Sequence, residues 1–172
     1  MENLIIRNAT VEDAPQIATI HVRGWQCAYR GQIPDKYLDG LSIEKRTKTW
    51  TKQIQEKKPG EHIYIAELNK KIVGWYTAGK SRDKDAAKDT GELQGIYIHP
   101  YHVGQGVGSK IMNHVINSLK RGGYKKATLW VLETNTIARR FYEKRGWVVE
   151  GKTKIEKKDG FDLHEIRLVL VL

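Results

Sequence analysis

Cysteine is almost missing: Cys27 is the only one in 172 residues, which excludes an intramolecular disulfide framework and any multi-cysteine zinc site. Long apolar runs are missing too, and nothing approaches the roughly 18 consecutive apolar residues of a membrane-spanning helix. The opening residues Met1-Glu2-Asn3-Leu4 carry neither a basic segment nor a long apolar one, so no signal peptide is expected. His21, His62, His102, His114 and His164 show no metal-ligand spacing, and no metal is expected. What is present suffices for a core: 40% of residues are hydrophobic and 9% aromatic, which excludes global disorder. These features predict a soluble, cytoplasmic protein with one domain over residues 1–172.

Acidic residues are outnumbered, 20 against 30 Lys and Arg, for a net charge of +10. A basic surface attracts polyanions, from nucleic acid to phosphorylated small molecules. Here the charge is scattered. The densest cluster, Lys152-Thr153-Lys154 running to Lys157-Lys158, is interrupted by Glu150, Glu156 and Asp159. That pattern fits a solvated face better than a nucleic-acid groove.

Periodicity predicts the elements in turn. Asn3 to Asn8 reads as a strand, and Thr10 with Asp13 as the capping box of a helix reaching about residue 28. Ile33-Pro34-Asp35 reads as a turn, and Ser42 caps a second helix stopped by Pro59-Gly60. His62–Ala66 and Lys71–Thr77 form a hairpin about Asn69-Lys70. The polar stretch Lys80–Thr90 reads as a mobile, solvated loop. Glu92–Ile98 is a strand, Ser109–Arg121 a helix, Lys126–Val131 a strand, and Asn135–Arg145 a helix ended by Gly146. Trp147–Val149 and Leu163–Leu170 are the last strands, turning at Asp159-Gly160. The order is β-α-α-β-β-β-α-β-α-β-β. Three successive strands before the glycine-rich turn make the sheet mixed, an α/β (α+β) arrangement, and not doubly wound parallel.

The stretch with most chemical content is Ile96-Tyr97-Ile98-His99-Pro100-Tyr101-His102-Val103-Gly104-Gln105-Gly106-Val107-Gly108-Ser109. A strand feeds a glycine-rich turn that opens a helix, and unpaired N–H groups at such a helix start favour an anion. The spacing is neither G-x-G-x-x-G nor a P-loop. Farther on, Asn135 and Tyr142 are two helical turns apart and share a helix face.

With these two blocks in this order, the chain resembles the GNAT superfamily of acyl-CoA-dependent N-acetyltransferases. The family's pyrophosphate motif, Q/R-x-x-G-x-G/A, falls on Val103-Gly104-Gln105-Gly106-Val107-Gly108, with Val103 where the pattern has Gln or Arg. The block Asn135-x-x-Ala138-x-x-Phe141-Tyr142-x-x-x-Gly146-Trp147 is similar to the family's N-x-x-A-x-x-F-Y-x-x-x-G-F. The resemblance implies a single three-layer, GNAT-like fold and transfer of an acetyl group from acetyl-CoA, with no metal, to an amine. A small-molecule amine comes first and a peptide or protein amine second. Membrane attachment is not expected, nucleic acid is disfavoured, and a homodimer is left open. A non-catalytic CoA-binding sensor is the alternative.

By the same resemblance, Ile96, Tyr97 and Ile98 pair with the pantetheine arm, and Val103 to Ser109 hold the pyrophosphate. The strand of Ile96–Ile98 splays from that of Leu129–Val131. Asn135 bonds the cofactor arm, and Tyr142 is the general acid for the leaving thiolate. Glu92 is the candidate base, with Tyr97 and His99 as lesser ones, and the acceptor pocket draws on Trp25, Tyr29 and Glu92. Arg30 is a further candidate, for an acceptor carboxylate.

Overall fold

A computed structural model describes residues 4–158 and 160–172. Asn3, at the head of the first predicted strand, and Asp159, in the last predicted turn, lie outside the described residues. The strands are β1 (Leu4–Asn8), β2 (His62–Leu68), β3 (Lys71–Lys80), β4 (Thr90–Ile98), β5 (Lys126–Leu132), β6 (Val148–Lys158) and β7 (Phe161–Val171). The helices are α1 (Ala14–Ala28), α2 (Asp35–Asp39), α3 (Ile43–Gln55), α4 (Val107–Arg121) and α5 (Thr136–Glu143). The predicted order holds, with one addition: a five-residue helix, Asp35–Asp39, begins at the end of the turn expected at Ile33-Pro34-Asp35. The Leu38 side chain of that helix is buried in a small cluster with Ile33, Leu132 and Leu163, and it is this burial that the turn-like sequence conceals.

The seven strands form one sheet in the order β1-β2-β3-β4-β5-β7-β6. Only β4 and β5 run parallel; the other pairs are antiparallel. The β2–β3 hairpin turns at Asn69 and Lys70, both with positive φ (50° and 63°), as a tight two-residue turn requires. The stretch Ile166–Val169 is interior, since β7 there lies between β5 and β6 and Leu168 is fully buried.

Helices cover both faces, so β3 is buried almost from end to end instead of alternating. On one face, α4 sets Ile111, Met112, Val115 and Leu119 against Tyr76, Leu93, Leu129 and Leu168. On the other, Ile17, Ala18 and Ile20 of α1 and Trp50 of α3 pack on Ile63, Ile65 and Trp75. The Ser42 hydroxyl caps α3 by accepting from the Lys45 N–H at 3.1 Å. At the start of the chain, the Asp13 carboxylate accepts from the Thr10 N–H (2.8 Å) and from Arg7.

The loop after β3, expected to be mobile and solvated, is tied down. Asp83 accepts from the Trp130 indole at 3.0 Å, and Asp83 and Asp85 bind Arg167, a residue only 5% exposed. Glu150 completes the group at 2.6 Å from Arg167 and bonds Lys126 at 3.0 Å. The loop's polar composition serves these ion pairs as well as solvent.

Candidate active site

The central observation is where two strands part. β4 and β5 pair from Thr90↔Lys126 to Leu93↔Leu129 and no further. Gln94 is the extra residue of a bulge, because Thr77 faces Gly95 while Ala78 faces Leu93. A bulge bends and twists its strand. Beyond it β4 keeps β3 on one edge and presents its other edge, Gln94–Ile98, to a cleft of about 1300 Å³.

The glycine-rich turn lies at the end of that strand. Gly104 and Gly106 both have φ of 80°, which disfavours any residue with a Cβ. Gly106 is the N-cap of α4, so the N–H groups of Val107, Gly108 and Ser109 have no acceptor within the helix. Gly108 meets a different demand: a Cβ there would lie 2.8 Å from Ile98 Cδ1 and 3.2 Å from the Phe141 ring. The turn therefore packs against both β4 and α5. Val103 is exposed and borders the cleft. Arg145, which the sequence reading passed over, stacks on Phe141 at 3.8 Å and donates to the Ser109 hydroxyl at 2.5 Å. It adds positive charge where α4 begins, and its spacing of four from Phe141 was the available signal.

α5 delivers the second block. Asn135 caps the helix, its side-chain oxygen accepting from the Ala138 N–H at 3.1 Å. Tyr142 is buried between Phe141 and Trp147, and Asn135 and Tyr142 both line the cleft. Burial pushes the Tyr142 phenol above its ordinary value, and Tyr29 adds to the effect. It is a neutral O–H at physiological pH.

Trp25, Tyr29 and Tyr97 also meet in the cleft. Trp25 stands edge-on to Tyr29 with centroids 5.0 Å apart, and the Tyr29 and Tyr97 hydroxyls are 3.3 Å apart. Burial raises both phenols; Tyr29 also raises Tyr97, and the nearby Glu165 also raises Tyr29. Neither is ionised to serve as a base. His21 stacks on Tyr97 at 5.2 Å. Burial, with Arg46 nearby, lowers its pKa to about 3. Its Nδ1 accepts the Trp50 indole N–H at 3.2 Å, so the ring is neutral with its proton on Nε2.

Glu92 lines the cleft but is neither exposed nor at a sheet edge. It is 1% exposed, and both of its oxygens accept from Arg82, whose backbone N–H adds a bond at 2.8 Å. His99 does not line the cleft; its Nδ1 accepts from the Tyr101 N–H at 3.4 Å. Arg30 is exposed and held by Asp39 at 2.8 Å and Asp35 at 3.2 Å. Cys27 is a free, exposed thiol. Among the described residues no group of three metal-ligating side chains comes together, and no helix is long and apolar enough to cross a membrane.

Trp130, Lys154 and Glu165 also line the cleft, and the sequence reading named none of them as a site residue. The Lys154 ammonium lies 4.4 Å over the Trp130 ring and 3.2 Å from Glu165 Oε2.

Residues 24–147 match the sequence profile of the Acetyltransferase (GNAT) family. A probable N-acetyltransferase of Mycobacterium tuberculosis is 28% identical over 154 residues, 88% of this chain and 83% of that one. Among solved structures, the PaiA N-acetyltransferase of Thermoplasma acidophilum in complex with coenzyme A superposes with a TM-score of 0.73. It is 19% identical, with 99% of each chain covered. The putative acetyltransferase YncA of Salmonella typhimurium with its cofactor acetyl-CoA gives 0.70 at 20% identity, covering 98% of this chain and 93% of that one. At these identities the two structures speak for the fold.

Proposed function

The chain belongs to the acetyltransferase (GNAT) family, and on that premise we propose that it moves an acetyl group from acetyl-CoA to the primary amine of a small molecule in a ternary complex. The observation that carries this reading is the parting of β4 and β5 after Leu93↔Leu129, beside the open helix start at Gly106. An extended thioester arm needs a strand edge to lie on, and a pyrophosphate needs uncommitted N–H donors. The strand edge borders the cleft and Tyr142 borders it too, while Val103 of the cleft wall leads directly into the helix start at Gly106.

Acetyl-CoA supplies an acyl group already activated as a thioester. The chain's own residues supply the rest. The N–H groups of Val107, Gly108 and Ser109 bind the pyrophosphate, with Arg145 alongside and Val103 packing against the arm. The Gln94–Ile98 edge aligns the arm, and one of its N–H groups polarises the acetyl carbonyl. Asn135 has its oxygen in the α5 cap, so its NH2 group is the donor that serves the arm. Tyr142 donates its phenolic proton to the sulfur as the carbon–sulfur bond breaks. Burial weakens this phenol as an acid, but it destabilises a bare thiolate in the same dry site as well, so proton transfer between them stays favourable. Trp25 and Tyr29 wall the acceptor, and Glu92 fixes Arg82 beside them. Holding amine and thioester together supplies much of the acceleration.

Thermal unfolding with increasing acetyl-CoA, followed by free-thiol release in the presence of primary amines, tests the reading. The midpoint should climb with ligand concentration, and thiol release should require amine. No climb at saturating acetyl-CoA would overturn it.

A further inference from the structure

An acceptor amine reaches the enzyme as an ammonium ion and must lose a proton before its nitrogen can attack. The carboxylates around the acceptor wall differ in what they have left to offer. Both oxygens of Glu92 are taken by Arg82. Asp83 is taken by the Trp130 indole and Arg167, Glu156 by Lys158 and Glu61 by the Lys58 N–H, while Glu56 is exposed to solvent beside Lys52. Glu165 differs. It lines the cleft from β7, and among the described residues neither of its oxygens accepts a directed hydrogen bond. Its Oε2 is enclosed, with the Lys154 ammonium 3.2 Å away but outside hydrogen-bonding geometry. The side chain keeps 18% of its surface open, and Oε1 is not enclosed with Oε2. A carboxylate so placed lacks the directed donors that such a group ordinarily has.

Two cations already face it, Lys154 and, through charge, Arg82, whose guanidinium is committed to Glu92; the remaining neighbours are aromatic. Glu165 stands near Tyr29, whose hydroxyl meets that of Tyr97 on β4. Trp130 offers a ring face that already holds one ammonium, that of Lys154. Building on the acyl-transfer reading above, we propose that Glu165 receives the ammonium group of the acceptor and takes the first proton from its nitrogen. The proton moves from nitrogen to Oε1, leaving a neutral amine whose lone pair forms the new carbon–nitrogen bond. The carbon–sulfur bond breaks and the sulfur takes the Tyr142 proton. The second nitrogen proton then restores the Tyr142 phenol, and Glu165 releases the first to solvent. The sum is one amide, one thiol and one proton.

Thiol release is measured from pH 5 to 9 with cadaverine, phenethylamine, ethanolamine and L-methionine as acceptors, in the parent, Glu165→Gln and Lys154→Met. The parent should turn over at least one of them. In Glu165→Gln, kcat/KM for that amine should fall about 100-fold and the acidic limb of the profile should disappear, while the stabilisation by acetyl-CoA persists. Lys154→Met removes the cation that competes for Glu165 and for the Trp130 face, so KM for that amine should fall severalfold. This second variant keeps the test decisive if Glu165→Gln folds poorly. A Glu165→Gln profile within about twofold of the parent, or an unchanged KM in Lys154→Met, would overturn the assignment to Glu165 and leave the acyl-transfer reading intact. Binding of acetyl-CoA without turnover of any of the four amines would overturn the cationic acceptor. Failure of acetyl-CoA to stabilise the parent would instead remove the acyl-transfer reading itself.

Discussion

At the end of the cleft assigned to acetyl-CoA, most of the groups facing the ligand belong to the main chain and come from one stretch, 94–109. At the end assigned to the acceptor they are side chains of Trp25, Tyr29, Arg82, Trp130, Lys154 and Glu165, carried on elements spread through the chain. A backbone cradle depends on local conformation, which a few glycines and a helix start can specify. A pocket of side chains depends on which strands become neighbours. The first kind of site suits a ligand shared by many enzymes, and the second suits the substrate that distinguishes them.

The sharpest way to break the cofactor end is Gly106→Asp. It asks a residue with a Cβ to hold φ of 80° and adds negative charge where an anion should bind. Stabilisation by acetyl-CoA should be lost, while circular dichroism still reports a folded chain. Tyr142→Phe tests chemistry without binding. Thiol release should slow about 100-fold, and acetyl-CoA should stabilise the variant as it does the parent.

The acceptor end is tested through the ion group that holds its loop. Arg167→Met leaves Asp83, Asp85 and Glu150 without their shared partner. Breaking a fully buried pair costs about 3–5 kcal/mol; Asp83 and Glu150 remain partly open to water, so about 2–3 kcal/mol is expected for the loss of their bonds, with the exposed Asp85 left out of that figure. For a chain this size the unfolding midpoint should fall by roughly 5–10 °C, and amide exchange should quicken across residues 81–89.

The same group sets an acid limit. The hydrogen bonds from Arg167 hold the Asp85 carboxyl down at about 2, below its ordinary 3.8. A carboxyl lowered in the folded state lends stability above its unfolded value and loses it as pH falls through the folded one. The parent's unfolding midpoint should therefore drop between about pH 4 and pH 2, and that of Arg167→Met should drop less steeply over the same interval. The smallest effect is reserved for Val103→Gln, which restores the side chain of the family pattern. One added hydrogen bond should tighten acetyl-CoA by roughly two- to tenfold, measurable by calorimetry.

The legibility of each part follows its sequence range. The hairpin at Asn69-Lys70 and the start of α4 are short-range features; the hairpin lies where turn chemistry put it, and α4 starts at Val107, two residues before the expected Ser109. Short-range too is the pairing of Asn135 with Tyr142 on one element. The loop after β3 was misread because its tethers are remote: Arg167 is 84 residues from Asp83 and 82 from Asp85. Glu92 was legible as a carboxylate near the chemistry, but its burial beneath Arg82 was not. Glu165 carried no signal at all, being one of several polar residues, with Asp162, His164 and Arg167, in the first part of β7.

Local chemistry in the chain alone thus determined the order of elements, the glycine-lined helix start and the tyrosine on α5, because each needs only neighbours within a few residues. The parting of β4 from β5, the neutral His21, the buried Glu92–Arg82 pair and the open oxygen of Glu165 were decided by tertiary structure. Each depends on burial and on partners supplied by distant segments. Desolvation and charge pairing exist only once the sheet has brought those segments together.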